Sequence, residues 1–357
     1  SRTEGPHHVF FNRGVAGSQE FESRFGDSIK KGLETPGSPE REWLSRGLEE
    51  ALVGFVGEAE GEGWSIRGAL YEFTYPEAMK ALGEARSRGV DIKITFDAKG
   101  DMYDENWPAI VKARIKSLVI PRKGVGIAIS HNKFLILLKG QTPVAVWTGS
   151  TNVTLGGIFG QSNVGHLVRD PAVAATYFEY WQKISENPSR KELAAWNEDH
   201  SPVGPEHRRD GTRVIFSPRG SLEALDAYEK AMDEAMRGVF LTAAFGVSKE
   251  LTEVLVKKKP YLRYLLMDNR GHGKSMLSRT AAIEKNPMNL LAVGDHFREG
   301  DLANWHAENL TGLNVHVQYV HTKIMLIDPL GDNPTVVTGS ANFSEPSTLK
   351  NDENMLV

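Results

Sequence analysis

Two stretches of this 357-residue chain place a histidine and a lysine two residues apart at the start of an apolar run. His131-Asn132-Lys133 leads into residues 134–138, and His321-Thr322-Lys323 leads into residues 324–327 followed by Asp328. Eighteen residues after each histidine lies a small polar segment, Gly149-Ser150-Thr151-Asn152 in one case and Gly339-Ser340-Ala341-Asn342 in the other. Both the histidines and the glycines are offset by 190 residues. In an extended strand, side chains two apart project to one side, so each histidine travels with its lysine. Imidazoles can attack or transfer protons, two ammonium groups can neutralise phosphate oxygens, and Ser150, Asn152, Ser340 and Asn342 can supply hydrogen bonds. Two half-sites facing each other would form one anion pocket that needs no metal and no cofactor. A single such block is more simply read as a structural histidine beside a solvated lysine; its duplication favours function.

The elements around these blocks repeat as well. Short strands entering turns are expected at residues 9–14 and 214–220. Helical spacing follows at 41–56 (Trp43, Leu44, Leu48, Leu52, Val56) and again from Leu222 to Met236 through Leu225, Tyr228 and Met232. Strand-like runs come next at 64–73 and 239–245, then, after a further amphipathic segment, at 90–96 and 261–267. This alternation predicts an α/β layer with a mixed or parallel sheet in each half. Residues 185–213 carry paired turn signals and little apolar periodicity after Trp196, so they read as a connector, with the boundary placed near residue 205. The lobes are thus 1–205, connector included, and 206–357.

Composition narrows the classes. There is no cysteine, which excludes disulfide scaffolds, thiol nucleophiles and cysteine-based metal sites. Lysine plus arginine is 42 against 46 acidic residues, a formal charge of -4, so any nucleic-acid contact must use a local patch. No apolar stretch approaches the roughly 18 residues of a membrane span. No apolar leader opens the sequence, so a cytoplasmic location is expected, with a processed secreted form as the alternative.

On its paired HxK and GSxN segments the chain resembles the phospholipase D superfamily. The second copy matches the family pattern throughout, including Asp328 beyond the apolar run that follows Lys323 and a downstream acid, Glu353; the first copy carries Leu138 where the pattern has aspartate. The resemblance spans nearly the whole chain. It implies two similar α/β lobes with the active site at their pseudo-twofold interface, and a covalent phosphohistidine intermediate. It implies that Lys133, Lys323, Asn152 and Asn342 hold the nonbridging oxygens, with Ser150, Ser340 and Asp328 in support. Since the acid after each GSxN orients the opposite histidine in relatives, Glu353 would serve His131 and make it the nucleophile. The equivalent first-half segment, Gln161-Ser162-Asn163, has no carboxylate, which leaves His321 as acid and base.

The expected activity is phosphodiester hydrolysis, with DNA or RNA as the preferred substrate. A phospholipase or phospholipid transferase is the alternative, and a degenerate phosphate-binding or protein-interaction module the third reading. A substrate rim is sought in Lys257-Lys258-Lys259, Arg270 and Lys274, extended by Arg208-Arg209 if folding brings them near; a solvated helix end is the ordinary reading of the lysine run. Gly271-His272-Gly273-Lys274-Ser275 suggests a phosphate loop but lacks the earlier glycine, with Asp268 in its place, so a polar loop is expected. Tyr177, Phe178, Tyr180 and Trp181 read as a helical packing face. Both half-sites lie in one chain, so a homo-oligomer is possible but not required. By the duplication, a helix matching residues 172–184 is expected beyond residue 357.

Overall fold

The computed structural model describes residues 3–14, 19–26, 29–203, 211–271, 273–294 and 319–357. The boundary placed at residue 205, and Arg208-Arg209, lie outside the described residues.

The described residues form two seven-stranded sheets. The first contains β1 (His7–Phe11), β2 (Trp64–Leu70), β3 (Asp91–Asp97), β4 (Val119–Arg122), β5 (Lys133–Lys139), β6 (Thr142–Gly149) and β7 (Val164–Val168), in the order β1-β7-β6-β5-β2-β3-β4. The second contains β8 (Val214–Ser217), β9 (Gly238–Ala243), β10 (Leu262–Met267), β11 (Asn289–Val293), β12 (Lys323–Ile327), β13 (Thr335–Gly339) and β14 (Glu353–Leu356), in the order β8-β14-β13-β12-β9-β10-β11. Each strand therefore has its counterpart seven places later. Within each sheet the β2-β3-β4 and β9-β10-β11 ladders are parallel and the remaining pairs antiparallel. The expected duplicated α/β architecture is the observed one.

The strands carrying chemistry are central. β5 lies between β2 and β6, and β12 between β9 and β13, so both are fixed along both edges. The apolar run of β5 is buried on both faces of the first sheet, as the continuous Phe134–Leu138 hydrophobics require, whereas β12 buries alternate residues. Gly149 and Gly339 end β6 and β13 where a Cβ would stand 2.2 Å from Val164 O and 2.2 Å from Asn354 O, respectively. Only glycine permits that approach, and Gly149 also has φ +128°. The glycine of each GSxN segment is thus a packing requirement that brings the following serine and asparagine beside the neighbouring strand.

Helix Pro171–Ser185 covers the first sheet through Tyr177, Tyr180, Trp181 and Ile184, and reaches Phe216 of the second lobe, with Tyr180 stacked on it at 3.9 Å. The aromatic cluster is a packing face, as the sequence suggests. Beneath this helix Val146 is fully buried, whereas its register counterpart Val336 is 49% exposed. Phe240, Leu262, Tyr264, Leu266 and Leu290 are exposed with Val336 on the second sheet.

Two local expectations change. The helix expected over 41–56 is two helices, Pro39–Ser45 and Leu48–Gly57, because Arg46 (φ 53°) and Gly47 (φ 93°) adopt left-handed backbone. The connector holds a helix, Arg190–His200, started by a capping box in which Ser189 and Glu192 satisfy each other's backbone N–H groups. That helix is tied to the second lobe: Asn197 Nδ2 donates to Pro218 O at 2.9 Å, and Arg219 Nη1 to Ser201 O at 3.1 Å.

Candidate active site

His131 and His321 each sit immediately before a central strand, and the two lobes bring both into one cavity of about 880 Å³. The chain approaches each histidine through an isolated bridge to the opposite half. His131 N donates to Asp352 O at 2.9 Å, and His321 N donates to Ser162 O at 3.0 Å. Each approach is further held by a carboxylate at the exit of a parallel strand. Asp97 accepts from Ser130 N at 2.7 Å, while Asp268 accepts from Tyr319 N at 2.7 Å and Val320 N at 2.9 Å. Nothing local in the sequence marks these aspartates, since only long-range folding brings them to their partners.

The side chains interlock across the lobes. His131 Nδ1 lies 2.9 Å from both carboxylate oxygens of Glu353. Ser340 Oγ donates to Glu353 Oε2 at 2.7 Å, and Asn351 Nδ2 to Oε1 at 3.2 Å. Across the pseudo-twofold axis, His321 Nδ1 lies 2.9 Å from Asn163 Oδ1, which also accepts from Ser150 Oγ at 2.8 Å. The Asn163 amide nitrogen donates to Gly157 O at 2.8 Å, which fixes the oxygen toward the histidine. Both acceptors are oxygens, so both imidazoles carry their proton on Nδ1 and keep the Nε2 lone pair. Ser150 and Ser340 each donate to one of these acceptors.

Lys133 and Lys323 lie behind the histidines, each donating to the carbonyl of its own histidine at 2.7 Å. Both are fully buried. Burial pushes Lys133 down to about 8, partly offset by Glu353 and Glu72, and holds Lys323 well below its ordinary value, with Lys133 as the next cause. Burial likewise lowers His131 to about 4 despite the attraction of Glu353. His321 is also held well below 6.5, first by burial and then by Lys323, Lys133 and His131. Burial alone would raise Glu353, but His131, Lys133 and Ser340 keep it below the usual range. A bound anion would favour the charged forms of these buried groups by supplying counter-charge. Asn152 and Asn342 complete the lining, and the amide oxygen of each is without a protein hydrogen bond among the described residues.

Two motif positions lie elsewhere. Asp328 is at the far end of β12 from Lys323, where it accepts from the backbone N–H groups of Met236, Arg237 and Gly238 at 2.7–3.1 Å. It organises the entry to β9 and does not face the cavity. Leu138, at the corresponding end of β5, is buried in the apolar cluster under helix Pro171–Ser185. The departure from the motif therefore falls outside the cavity-lining groups.

The expected basic rim does not assemble. Lys257-Lys258-Lys259 precedes β10, whereas the cavity is lined by Asn269 and Gly271 beyond its other end, about 20 Å away at strand rise. Lys257 and Lys259 instead pair with Asp233 at 3.3 and 2.9 Å. Arg270 is on the cavity side but pairs with Glu284. Lys274 starts the next helix in an exposed position, and His272 of the loop before it lies outside the described residues. No lysine or arginine is among the described cavity-lining residues, which do include Glu72 and Glu105. Sequence reasoning also misses Tyr71 and Phe245, aromatic cavity residues just beyond β2 and β9.

Comparison with known proteins agrees with this architecture. Over most of their lengths the chain superposes on phosphatidylserine synthase from Haemophilus influenzae Rd KW20, with TM-score 0.55 and 12% identity, covering 87% of this chain and 80% of that one. It also superposes on polyphosphate kinase from Porphyromonas gingivalis, with TM-score 0.54 and 13% identity, over 85% of this chain; the match spans only 42% of the kinase. The phospholipase D family member NUC from Salmonella typhimurium aligns at 24% identity and TM-score 0.34, covering 51% of this chain and 94% of that one. No curated protein matches in sequence. A family profile described as "Cardiolipin synthase, PLD-like domain" matches residues 58–185 and 290–357, a span that includes both HxK strands, both GSxN turns and Glu353. With those motifs, two equivalent sheets and a shared histidine cavity, the chain belongs to the phospholipase D superfamily.

Proposed function

We propose that the protein cleaves phosphodiesters through a phosphohistidine formed on His131, without a catalytic metal. The observation that carries this reading is the reciprocal pairing of His131 with Glu353 and His321 with Asn163 around one cavity. In the first step the Nε2 lone pair of His131 attacks phosphorus while the P–O bond to the leaving group breaks. Protonated His321 transfers its proton to the departing oxygen. In the second step neutral His321 takes a proton from water, the resulting hydroxide attacks phosphorus, and the N–P bond breaks with its electrons returning to His131. An alcohol in place of water gives transfer instead of hydrolysis. Asn152 and Asn342 hold the nonbridging oxygens from the cavity wall, and Lys133 and Lys323, behind the histidines, supply positive charge to them.

Glu353 suits His131 to attack, because a buried carboxylate on Nδ1 supports the positive charge that develops on the ring. The neutral Asn163 leaves His321 the weaker base and hence the better proton donor. Retention of both histidine–lysine pairs and both orienting acceptors argues against a noncatalytic binding module.

The cavity wall bears on substrate. Glu105 and the lack of a lysine or arginine in the described lining disfavour a long polyanion. They favour an isolated phosphodiester flanked by neutral or cationic groups, as at a phospholipid headgroup, over the DNA or RNA expected from sequence. The test is incubation with EDTA of the wild-type, His131→Ala, His321→Ala and Lys323→Ala proteins with phosphatidylcholine, single- and double-stranded DNA, and RNA. Lipid cleavage lost in all three variants supports the reading. Cleavage of nucleic acid alone reverses the substrate assignment, and cleavage surviving in His131→Ala rejects the mechanism.

A further inference from the structure

Each half-site has an aromatic ring standing over it. Tyr71 meets the His131 ring edge-on at 4.9 Å, and the Lys133 ammonium lies 5.2 Å from the Tyr71 ring centre. Phe245 meets His321 edge-on at 6.3 Å, with Lys323 at 6.0 Å from its ring centre. Both rings line the cavity. The arrangement repeats, but only the ring beside His131 carries a hydroxyl.

Tyr71 is fixed relative to the reacting groups. Its backbone N–H donates to Asn132 O at 2.9 Å, which ties it to the residue between His131 and Lys133. Its hydroxyl has no hydrogen-bond partner among the described residues. Burial, then Glu72, Asp97 and Glu105, raise the phenol well above its ordinary value, so it stays a neutral donor. Beside an acidic wall, a neutral donor contributes to phosphate binding without requiring a further buried positive charge.

We infer that Tyr71 is a substrate-contacting residue, its hydroxyl donating to a nonbridging phosphoryl oxygen while its ring positions His131 and Lys133. Phe245 packs in the second half-site but donates nothing. The inference rests on the phosphohistidine reading for the identity of the bound group. It extends the asymmetry of the orienting acceptors to the phosphate oxygens, which gain an additional ligand on the nucleophile's side.

Binding of inorganic phosphate, followed by calorimetry, tests the inference with the anion common to every candidate substrate. Tyr71→Phe keeps the ring and removes the donor, so it should bind phosphate roughly 10-fold more weakly, the scale of one lost hydrogen bond, with an unchanged melting temperature. Tyr71→Ala should weaken binding further and also move the His131 titration followed by NMR, which Tyr71→Phe should leave in place. Phe245→Ala should retain phosphate binding closer to wild type than Tyr71→Phe does. Equal affinity in wild type and Tyr71→Phe overturns the inference, as does a wild-type protein that binds no phosphate. Phosphorylation trapping in the same wild-type protein separates the two readings: a phosphohistidine with no Tyr71→Phe effect rejects only the role of Tyr71.

Discussion

Asn163 and Glu353 occupy the same place in the two halves, 190 residues apart, and each accepts a hydrogen bond from the histidine of the other half at 2.9 Å. One is an amide and the other a carboxylate, so the pseudo-symmetry breaks at the atoms that set imidazole basicity. Glu353→Gln should lower turnover by roughly 100-fold or more, because it removes the charge that supports His131 and permits the wrong tautomer. Asn163→Asp should keep activity while moving the limb of the pH–rate profile assigned to His321 upward, since a nearby negative charge favours the protonated ring. An unchanged profile in Asn163→Asp would remove the acid–base assignment of His321.

The buried histidines make stability depend on pH. Burial lowers His131 and His166 to about 4 and holds His321 well below 6.5. The unfolded chain therefore binds protons at these groups from near pH 6.5 downward, before the folded chain does, and their contribution to stability falls as pH drops from about 6.5 to about 4. Below that window His131 and His166 are protonated in both states and add no further loss. The urea midpoint should be lower at pH 5 than at pH 7, with a smaller difference in His166→Gln. An equal difference in that variant would contradict the role assigned to its burial.

Anion binding should be coupled to protonation. His321 is neutral in the free protein near pH 7 because burial and the surrounding cations disfavour its charge. A phosphate oxyanion placed beside it reverses that balance. Calorimetric titration of phosphate in buffers of different ionisation enthalpy should show uptake of up to about one proton at pH 7, reduced in His321→Gln. Identical heats in all buffers would show that the pocket does not charge its acid on binding.

Arg122 and Asp352 form a buried ion pair that fastens the lobes beside the site. Arg122 Nε donates to Asp352 at 2.9 Å, and Asp352 supplies the carbonyl that receives His131 N. Arg122→Ala leaves a carboxylate buried without its main partner and should destabilise the fold by about 3–5 kcal/mol. Removing both charges in Arg122→Met/Asp352→Leu should restore part of that loss. Urea unfolding of the single and double variants checks this, and strictly additive losses would contradict direct coupling.

How far the sequence reveals this site depends on the distance over which each signal acts. His131, Lys133, Asn152 and their second-half counterparts are legible because strand spacing and glycine packing are local and the block occurs twice. Glu353 and the neutral segment containing Asn163 follow from the family resemblance. Asp97 and Asp268 are not legible, since each acts on backbone N–H groups 33 or more residues away. Lys257-Lys258-Lys259 misleads because a charge run does not reveal which end of a strand it will occupy, nor that Asp233 will partner two of its members. The helix Arg190–His200 has a readable start in Ser189 and Glu192, but its exposed, weakly apolar face conceals it.

The central claim is that His131 carries the phosphoryl group. Rapid acid-free quenching during turnover, followed by mass-spectrometric mapping under alkaline conditions, tests it directly. The account predicts on His131 a phosphoryl adduct that still carries the substrate's second ester group, accumulating in His321→Ala as its release by water slows. Such an adduct confined to His321, or steady turnover with no histidine adduct in either protein, would contradict it.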